Sequence, residues 1–370
     1  MKTKSIRILE LNFERTWRGG ERQTLYNTQG FIAAGMKVDV LCRKNFPIEQ
    51  KLKEQGFSTI AFKNVFGVIF FLITRGHKYD IFHVQTSHIL TYAILTRPFH
   101  WAKVVFTRRI DFVPKGKLTL LKYRLCTHVV GISRAIQQIM TDFGVKDVQL
   151  ISSAIAPKVL DTARARRVID EMNLPPYTKV IATTAAFVAH KDPLCMVAAI
   201  KHLTTLRNDF VFLHFGNGEM QAEVRAAMEE AGLLGIYRIM GFQHNVEDFF
   251  SVMDAFAMSS SEEGLGSSVL DAFIYRVPVA ATNAGGLKDL LEEGRGLMCA
   301  VKDSKTLALQ LDILLSHPQE TAQMVERAYK FAITKHNITF ITQQYLQLLG
   351  LKGKQHYQVV KPATVRVATS

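Results

Sequence analysis

The stretch that decides the fold is Ser259–Gly286, SSSEEGLGSSVLDAFIYRVPVAATNAGG. An apolar run ends at Ser259, a loop follows with Glu262 and Glu263, and Gly264-Leu265-Gly266 leads into a helix beginning near Ser267. Val269, Leu270, Phe273 and Ile274 recur at helical spacing, which predicts a buried stripe with Ser267 and Asp271 together on the opposite face. Glycines let backbone approach an anion closely, and the free N–H groups and positive dipole end of a helix stabilise a diphosphate. Glu263, just before the glycines, can accept hydrogen bonds from sugar hydroxyls, and Asp271 can do so from ribose hydroxyls. The competing reading is an ordinary strand-to-helix turn with a solvated acidic pair.

Outward from this stretch, short β-branched runs alternate with helical segments, the pattern of parallel α/β units. In the first half the candidate strands are Ser5–Asn12, Lys37–Cys42, Ser58–Lys63, Asp80–Gln85, Lys103–Arg108, His128–Ser133 and Val148–Ser152. A helical, charge-mixed link, Lys158–Met172, leads to Pro175-Pro176-Tyr177, where the alternation resumes with Lys179–Ala185, Phe210–Phe215, Tyr237–Gly241, Ala255–Ser259 and Val277–Thr282. These strands are nearly all apolar, as central parallel strands must be. The chain of 370 residues exceeds the size at which one core stops growing. The expected division is residues 1–155, residues 156–335, a last helix 336–351 returning to the first domain, and a basic, aperiodic, disordered tail 352–370.

With 48% hydrophobic and 21% charged residues, the composition is that of a soluble globular protein. Cys42, Cys126, Cys195 and Cys299 are far apart and read as reduced core residues. The basic start lacks the apolar run of a signal sequence, which predicts a cytoplasmic chain. Val65–Ile73 is too short to cross a bilayer, and reads as a buried helix of the first core or as a segment lying in a membrane interface. Residues 1–150 hold 24 Lys and Arg against 10 Asp and Glu, so the whole net charge of +14 lies there. Such a surface suits a phosphate-bearing partner or an anionic membrane.

Neither half shows D-x-D, H-E-x-x-H or a cysteine cluster, so no metal is expected. A P-loop is missing, and Gly264-Leu265-Gly266 lacks the third glycine of the dinucleotide fingerprint, which argues against an NTPase and a dehydrogenase. Gly19 and Gly20 end the loop after the first strand, and the helix that follows is marked by Leu25 and Ile32 and closed by Gly35. That glycine pair fits either backbone approach to a phosphate or acceptor, or a tight turn. His83 ends a strand at the edge where α/β ligands bind. Arg108 and Arg109 read as a solvated strand end or as anion ligands.

Glu263-x7-Asp271, then Pro278-Val279-Ala280 and Gly285-Gly286, resembles the C-terminal signature of the retaining glycosyltransferases of family 4 (group 1). Gly19-Gly20-Glu21, Asp80-Ile81-Phe82-His83, Gly131-Ile132-Ser133-Arg134, Lys191 and Gly216-Asn217-Gly218 sit where similar family elements occur. The resemblance covers nearly the whole chain. It implies a GT-B fold, two Rossmann-like domains facing a cleft, with the nucleotide-sugar donor on the C-terminal domain and a glycan or glycolipid acceptor on the N-terminal one. Transfer would retain anomeric configuration without a protein nucleophile, metal or cofactor, as a hexosyltransferase-type reaction in bacterial surface polysaccharide or lipopolysaccharide synthesis. The implied catalytic residues are Glu263 and His83. Lys191, Gly264, Leu265, Gly266, Ser267, Asp271, Gly216 and Arg108 would bind donor, and Gly19 and Gly20 would form an acceptor or phosphate loop. Two positions depart from the pattern: Asp271 stands where the family usually has Glu, and Ala185–Lys191 (AAFVAHK) lacks the family's phosphate-binding Arg, a role left to Lys191 with backbone amides, or to Arg108 or Arg109. A nucleotide-sugar epimerase is the rival enzyme, but no acids and histidines are set to move a ring proton. A basic membrane- or RNA-binding module is the non-enzymatic rival; it leaves Glu263–Asp271 unexplained, and no specific nucleic acid is expected.

Overall fold

A computed structural model describes residues 5–353; the tail expected to be disordered lies, from residue 354 onward, outside the described residues. By their contacts the described residues form two compact units, one running up to Ala156 and resuming at Lys335, the other Pro157–Thr334.

The first unit alternates strand and helix: β1 Arg7–Leu11, α1 Gly19–Ala33, β2 Lys37–Arg43, α2 Pro47–Glu54, β3 Thr59–Phe62, α3 Val65–Arg75, β4 Ile81–Val84, α4 Ser87–Leu95, β5 Lys103–Arg108, α5 Lys117–Arg124, β6 His128–Gly131, α6 Arg134–Asp142 and β7 Gln149–Leu150. Its seven strands pair in parallel in the order β3-β2-β1-β4-β5-β6-β7. The order reverses direction at β1/β4, and right-handed crossovers then put α1 and α2 on one face and α3 to α6 on the other. Strands buried on both faces need apolar side chains throughout, which the buried positions of β1, β4 and β5 supply except at Glu10, His83, Thr107 and Arg108.

The second unit contains α7 Thr162–Asp170, β8 Lys179–Thr184, α8 Pro193–Leu203, β9 Phe210–Phe215, α9 Gln221–Glu230, β10 Tyr237–Gly241, β11 Ala255–Met258, α10 Ser267–Ile274, β12 Val279–Thr282, α11 Leu287–Leu291, β13 Leu297–Cys299, α12 Ser304–Ser316 and α13 Pro318–Lys335. Its parallel sheet runs β10-β9-β8-β11-β12-β13, with the reversal at β8/β11. Here α8 and α12 pack together over a core that includes Ile181, Phe212, Ala257 and Leu311. The charge-mixed stretch 158–172 lies within this unit, where Arg164 of α7 pairs with Asp248 at 2.9 Å and Asp161 N–H donates to the same carboxylate. The last helix, α14 Ile338–Leu349, packs on α1 so closely that a Cβ at Gly30 would lie 1.9 Å from Thr342 Oγ1. Its Ile341, Tyr345, Leu346 and Leu349 join the core of the first unit.

Some expectations need correction. Gly19 and Gly20 are the first turn of α1, not its preceding loop. Ile32 is exposed, and α1 turns Tyr26 and Phe31 inward with several polar residues. Strand β13 carries too short an apolar run to stand out in the sequence, and is held by its pairing with β12. Val65–Ile73 is not a buried helix: Val68 and Leu72 of α3 are buried, but Phe66 is 78% and Phe70 69% exposed.

Candidate active site

In the second unit the loops after β8, β9 and β11 converge. Gly216 has φ 151°, and a Cβ there would fall 2.0 Å from Ala185 O; one at Gly218 would fall 2.3 Å from Phe187 O. Only glycine lets these two backbones touch. Phe187 N–H donates to Asn217 O at 3.2 Å, and Met220 N–H returns to Phe187 O at 3.0 Å. The following 3-10 turn, Ala189–Lys191, is tied to the loop after β11: Ser261 N–H donates to His190 O at 2.9 Å, and Ser259 Oγ–H reaches Asp192 O at 2.9 Å. This clamp brings Lys191 Nζ onto Glu263 Oε2, an ion pair whose side chains are 19% and 13% exposed, with Ser260 Oγ 3.4 Å from the same oxygen.

Glu263 is fixed through its backbone as well. Gly286 N–H donates to Glu263 O at 2.8 Å, and a Cβ on Gly286 would sit 2.5 Å from Gly264 O, so Gly285-Gly286 seals the glycine loop from beneath. Gly266 is the N-cap of α10 in a left-handed conformation (φ 96°), and supplies no side-chain oxygen. The first amides of α10 therefore keep their donor capacity beside a cation and a carboxylate. Asp271 lies on α10 but is 7% exposed, with Val269 to Ile274 all buried, so the expected open face carrying Ser267 and Asp271 is not present.

The first unit holds a second polar cluster at the C-terminal ends of its strands. Glu21 in the first turn of α1 accepts from Arg18 N–H at 2.9 Å and lies 3.4 Å from Asn12 Nδ2; burial raises its carboxyl above the usual range. It anchors the first turn of α1, which contains Gly19 and Gly20. Next to Gly20 lies Arg109, whose Cδ would be 3.7 Å from a Cβ at that glycine. Its guanidinium donates to Gln85 Oε1 at 2.9 and 3.1 Å and to Ser153 Oγ at 3.1 Å, and burial lowers its pKa. These partners are neutral oxygens, so they leave its charge uncancelled at contact distance.

Two expected site residues are displaced from that role. Arg108 is 2% exposed and turns inward, donating to Tyr123 Oη at 3.1 Å and to Phe112 O, where it pins the loop after β5. Neither arginine is a solvated strand end, and Arg109 rather than Arg108 lies beside the glycine pair. His83 is 2% exposed with both ring nitrogens engaged, Nδ1 on Glu10 Oε1 at 2.7 Å and Nε2 on Thr107 Oγ1 at 2.9 Å. Thr107 in turn meets Tyr345 Oη at 2.8 Å, so this network fastens α14 to the sheet. Both ring nitrogens are thus spent on buried partners, which makes the imidazole structural: it links Glu10, which also accepts from Gln85 Nε2 at 3.0 Å, to the Thr107–Tyr345 pair. Gln85, Arg109 and Ser153 were not singled out by motif reading as a set, although each follows a strand end, the edge where such sheets bind ligands.

Two doubly wound parallel sheets, each with polar loops at the strand C-termini, define a GT-B fold. Residues 166–331 match the model of the glycosyl transferases group 1 family. Among similar proteins, the chain is 26% identical over 227 residues to the lipopolysaccharide core biosynthesis glycosyltransferase LpsE of Rhizobium meliloti (strain 1021), covering 60% of this chain and 64% of that one. It is 31% identical over 273 residues to the 2-deoxystreptamine glucosyltransferase of Streptomyces kanamyceticus, covering 70% and 66%. The matches thus span less than two thirds of these relatives' own lengths. In fold it is similar to Anabaena HepE, crystallised with UDP and glucose, at a TM-score of 0.81 and 17% identity over 93% of this chain and 99% of that one.

Proposed function

We propose that the protein is a retaining glycosyltransferase of family 4 that moves a hexosyl-type sugar from a nucleotide-sugar donor to a glycan or lipid-linked acceptor, in bacterial surface polysaccharide or lipopolysaccharide synthesis. The observation that carries this reading is the side-chain-uncapped start of α10, walled by Gly264, Gly266 and Gly286 and flanked by the Lys191–Glu263 pair. Such a place offers amide donors and one cation to a diphosphate and one carboxylate to sugar hydroxyls. The names of the relatives, lipopolysaccharide core transferases among them, and the UDP in the Anabaena structure support the same substrates.

In this reading the donor diphosphate takes Lys191 from Glu263, and Glu263 turns to the hydroxyls of the transferred sugar. The amides of Gly266 to Ser268 and the dipole end of α10 stabilise the charge that develops on the leaving phosphate, so neither metal nor cofactor is required. The acceptor is held by the first unit near Gly19, Gly20 and Arg109. The protein works in the cytoplasm, at the inner face of the membrane; no helix among the described residues is long and apolar enough to cross it.

The test is release of nucleotide from a panel of UDP- and GDP-sugars with acceptor glycolipid present, with and without EDTA, and the anomeric configuration of the product by NMR. Release with retained configuration under chelation is expected. Inversion, or loss with EDTA that Mg2+ restores, overturns the mechanism; no release from any donor overturns the function.

A further inference from the structure

Three helices on one face of the first sheet turn large apolar side chains to solvent. Right-handed connections place α3, α4 and α5 on the same face; α3 packs against α4, α4 against α5, and both α3 and α4 against the turn Arg97–Phe99. On α3, Phe66 and Phe70 lie one turn apart, on a different side from the buried Val68 and Leu72, so this helix is apolar nearly all round. Leu118, Leu121 and Leu125 form an exposed stripe along and just beyond α5, and Trp101, before β5, is 92% exposed. A patch of this extent in a soluble unit marks a surface that something covers.

The charge around it says what. Residues 63–125 hold eleven Lys and Arg against two acids, Asp80 and Asp111. Of these, Lys63, Arg75, Lys78, Arg97, Lys117 and Arg124 are exposed, on or next to the same helices. A second copy of so basic a face would be repelled. Anionic headgroups would be attracted, and aromatic side chains interleaved with basic ones are suited to the boundary between headgroups and acyl chains. At eleven residues, α3 can lie in that boundary but not cross it.

We propose that the outer face of α3, α4 and α5 docks on an anionic lipid bilayer, inserting Phe66, Phe70 and Trp101. This rests on and deepens the proposed work at a membrane, since it names the face that would bring a lipid-linked acceptor to the first unit.

Sedimentation of the full chain with vesicles tests it, using phosphatidylcholine with and without phosphatidylglycerol. Wild type should pellet with the mixed vesicles and far less with the neutral ones. Phe66→Ser/Phe70→Ser/Trp101→Ser should weaken that partitioning by more than about a hundredfold, and Arg75→Ser/Lys78→Ser by about thirtyfold, at roughly fivefold per charge. These positions are exposed, so both variants should keep the wild-type melting midpoint. Equal wild-type partitioning to the two vesicle types, none to either, an apolar variant that still pellets, or a wild-type dimer that this variant dissociates would overturn the proposal. Docking in this pattern without turnover of any nucleotide sugar would refute the transferase reading and leave the surface standing.

Discussion

Exchange of partners at Lys191 makes a prediction whose sign is unusual. Glu263 and Lys191 neutralise each other at the start of α10, and their side chains are 13% and 19% exposed. Breaking the pair should cost about 1–2 kcal/mol, between the small value of exposed pairs and the 3–5 kcal/mol of fully buried ones. Lys191→Met should therefore lower the melting midpoint by roughly 3–6 °C, and Lys191→Met/Glu263→Gln should recover most of that loss. Binding of UDP or GDP, which lack the sugar, separates the two residues. Lys191→Met should weaken it about ten- to a hundredfold, the worth of a charged hydrogen bond. Glu263→Gln removes the competitor for the ammonium and should tighten it by about three- to tenfold, while turnover of the sugar donor falls severely. Isothermal titration of the nucleoside diphosphate against the four proteins is the assay. Unchanged or weaker nucleotide binding by Glu263→Gln would refute the exchange, whatever happened to turnover.

His83→Ala should destabilise the first unit by about 1–3 kcal/mol by removing one of the two hydrogen bonds to the fully buried Glu10 and one to Thr107, with nucleotide affinity unchanged in His83→Gln; a loss of activity at wild-type stability would restore a substrate contact. Gly216→Ala places a Cβ 2.0 Å from backbone oxygen and should cost about 3 kcal/mol or more, whereas Gly235→Ala, with nothing within 4 Å, should leave the urea midpoint nearly unchanged. Burial lowers His214 to about 4, so the unfolded chain takes up its proton first. The neutral imidazole's contribution is complete above about pH 6.5 and is lost as pH falls towards 4, about 3 kcal/mol in all. Urea midpoints of wild type and His214→Gln from pH 7 to 4.5 should converge; parallel curves would remove His214 as the cause.

Much of the fold was legible because local signals agreed. Lys103–Arg108 and Phe210–Phe215 form strands over the residues their β-branched and aromatic runs marked out, since each fills a strand buried on both faces. The glycine loop before α10 was legible for the same kind of reason, as Gly264, Gly266 and Gly286 answer to local backbone geometry. His83 and Arg108 read as ligands because each stands at a strand end, the edge where such sheets bind ligands. Their burial depends on Glu10, Thr107, Tyr123 and Phe112, which reach them only through strand pairing and helix packing. The exposure of Phe66 and Phe70 was hidden for the converse reason, since hydrophobicity states a preference for burial and not whether a neighbour arrives to cover it.

By itself, then, the sequence determined the alternation of strand and helix, the two α/β units, the concentration of positive charge in the first 150 residues, and the loop that ends at α10. Each is a property of a few neighbouring residues: propensity, periodicity, charge, the conformational freedom of glycine. Tertiary structure decided which cation meets which carboxylate. It set Lys191 on Glu263, 72 residues away in the chain, chose Arg109 over Arg108 for the place beside Gly20, and laid α14 across α1 to close the first core. Those outcomes follow from strand order and close backbone contact, and no window of sequence contains the distances that set them.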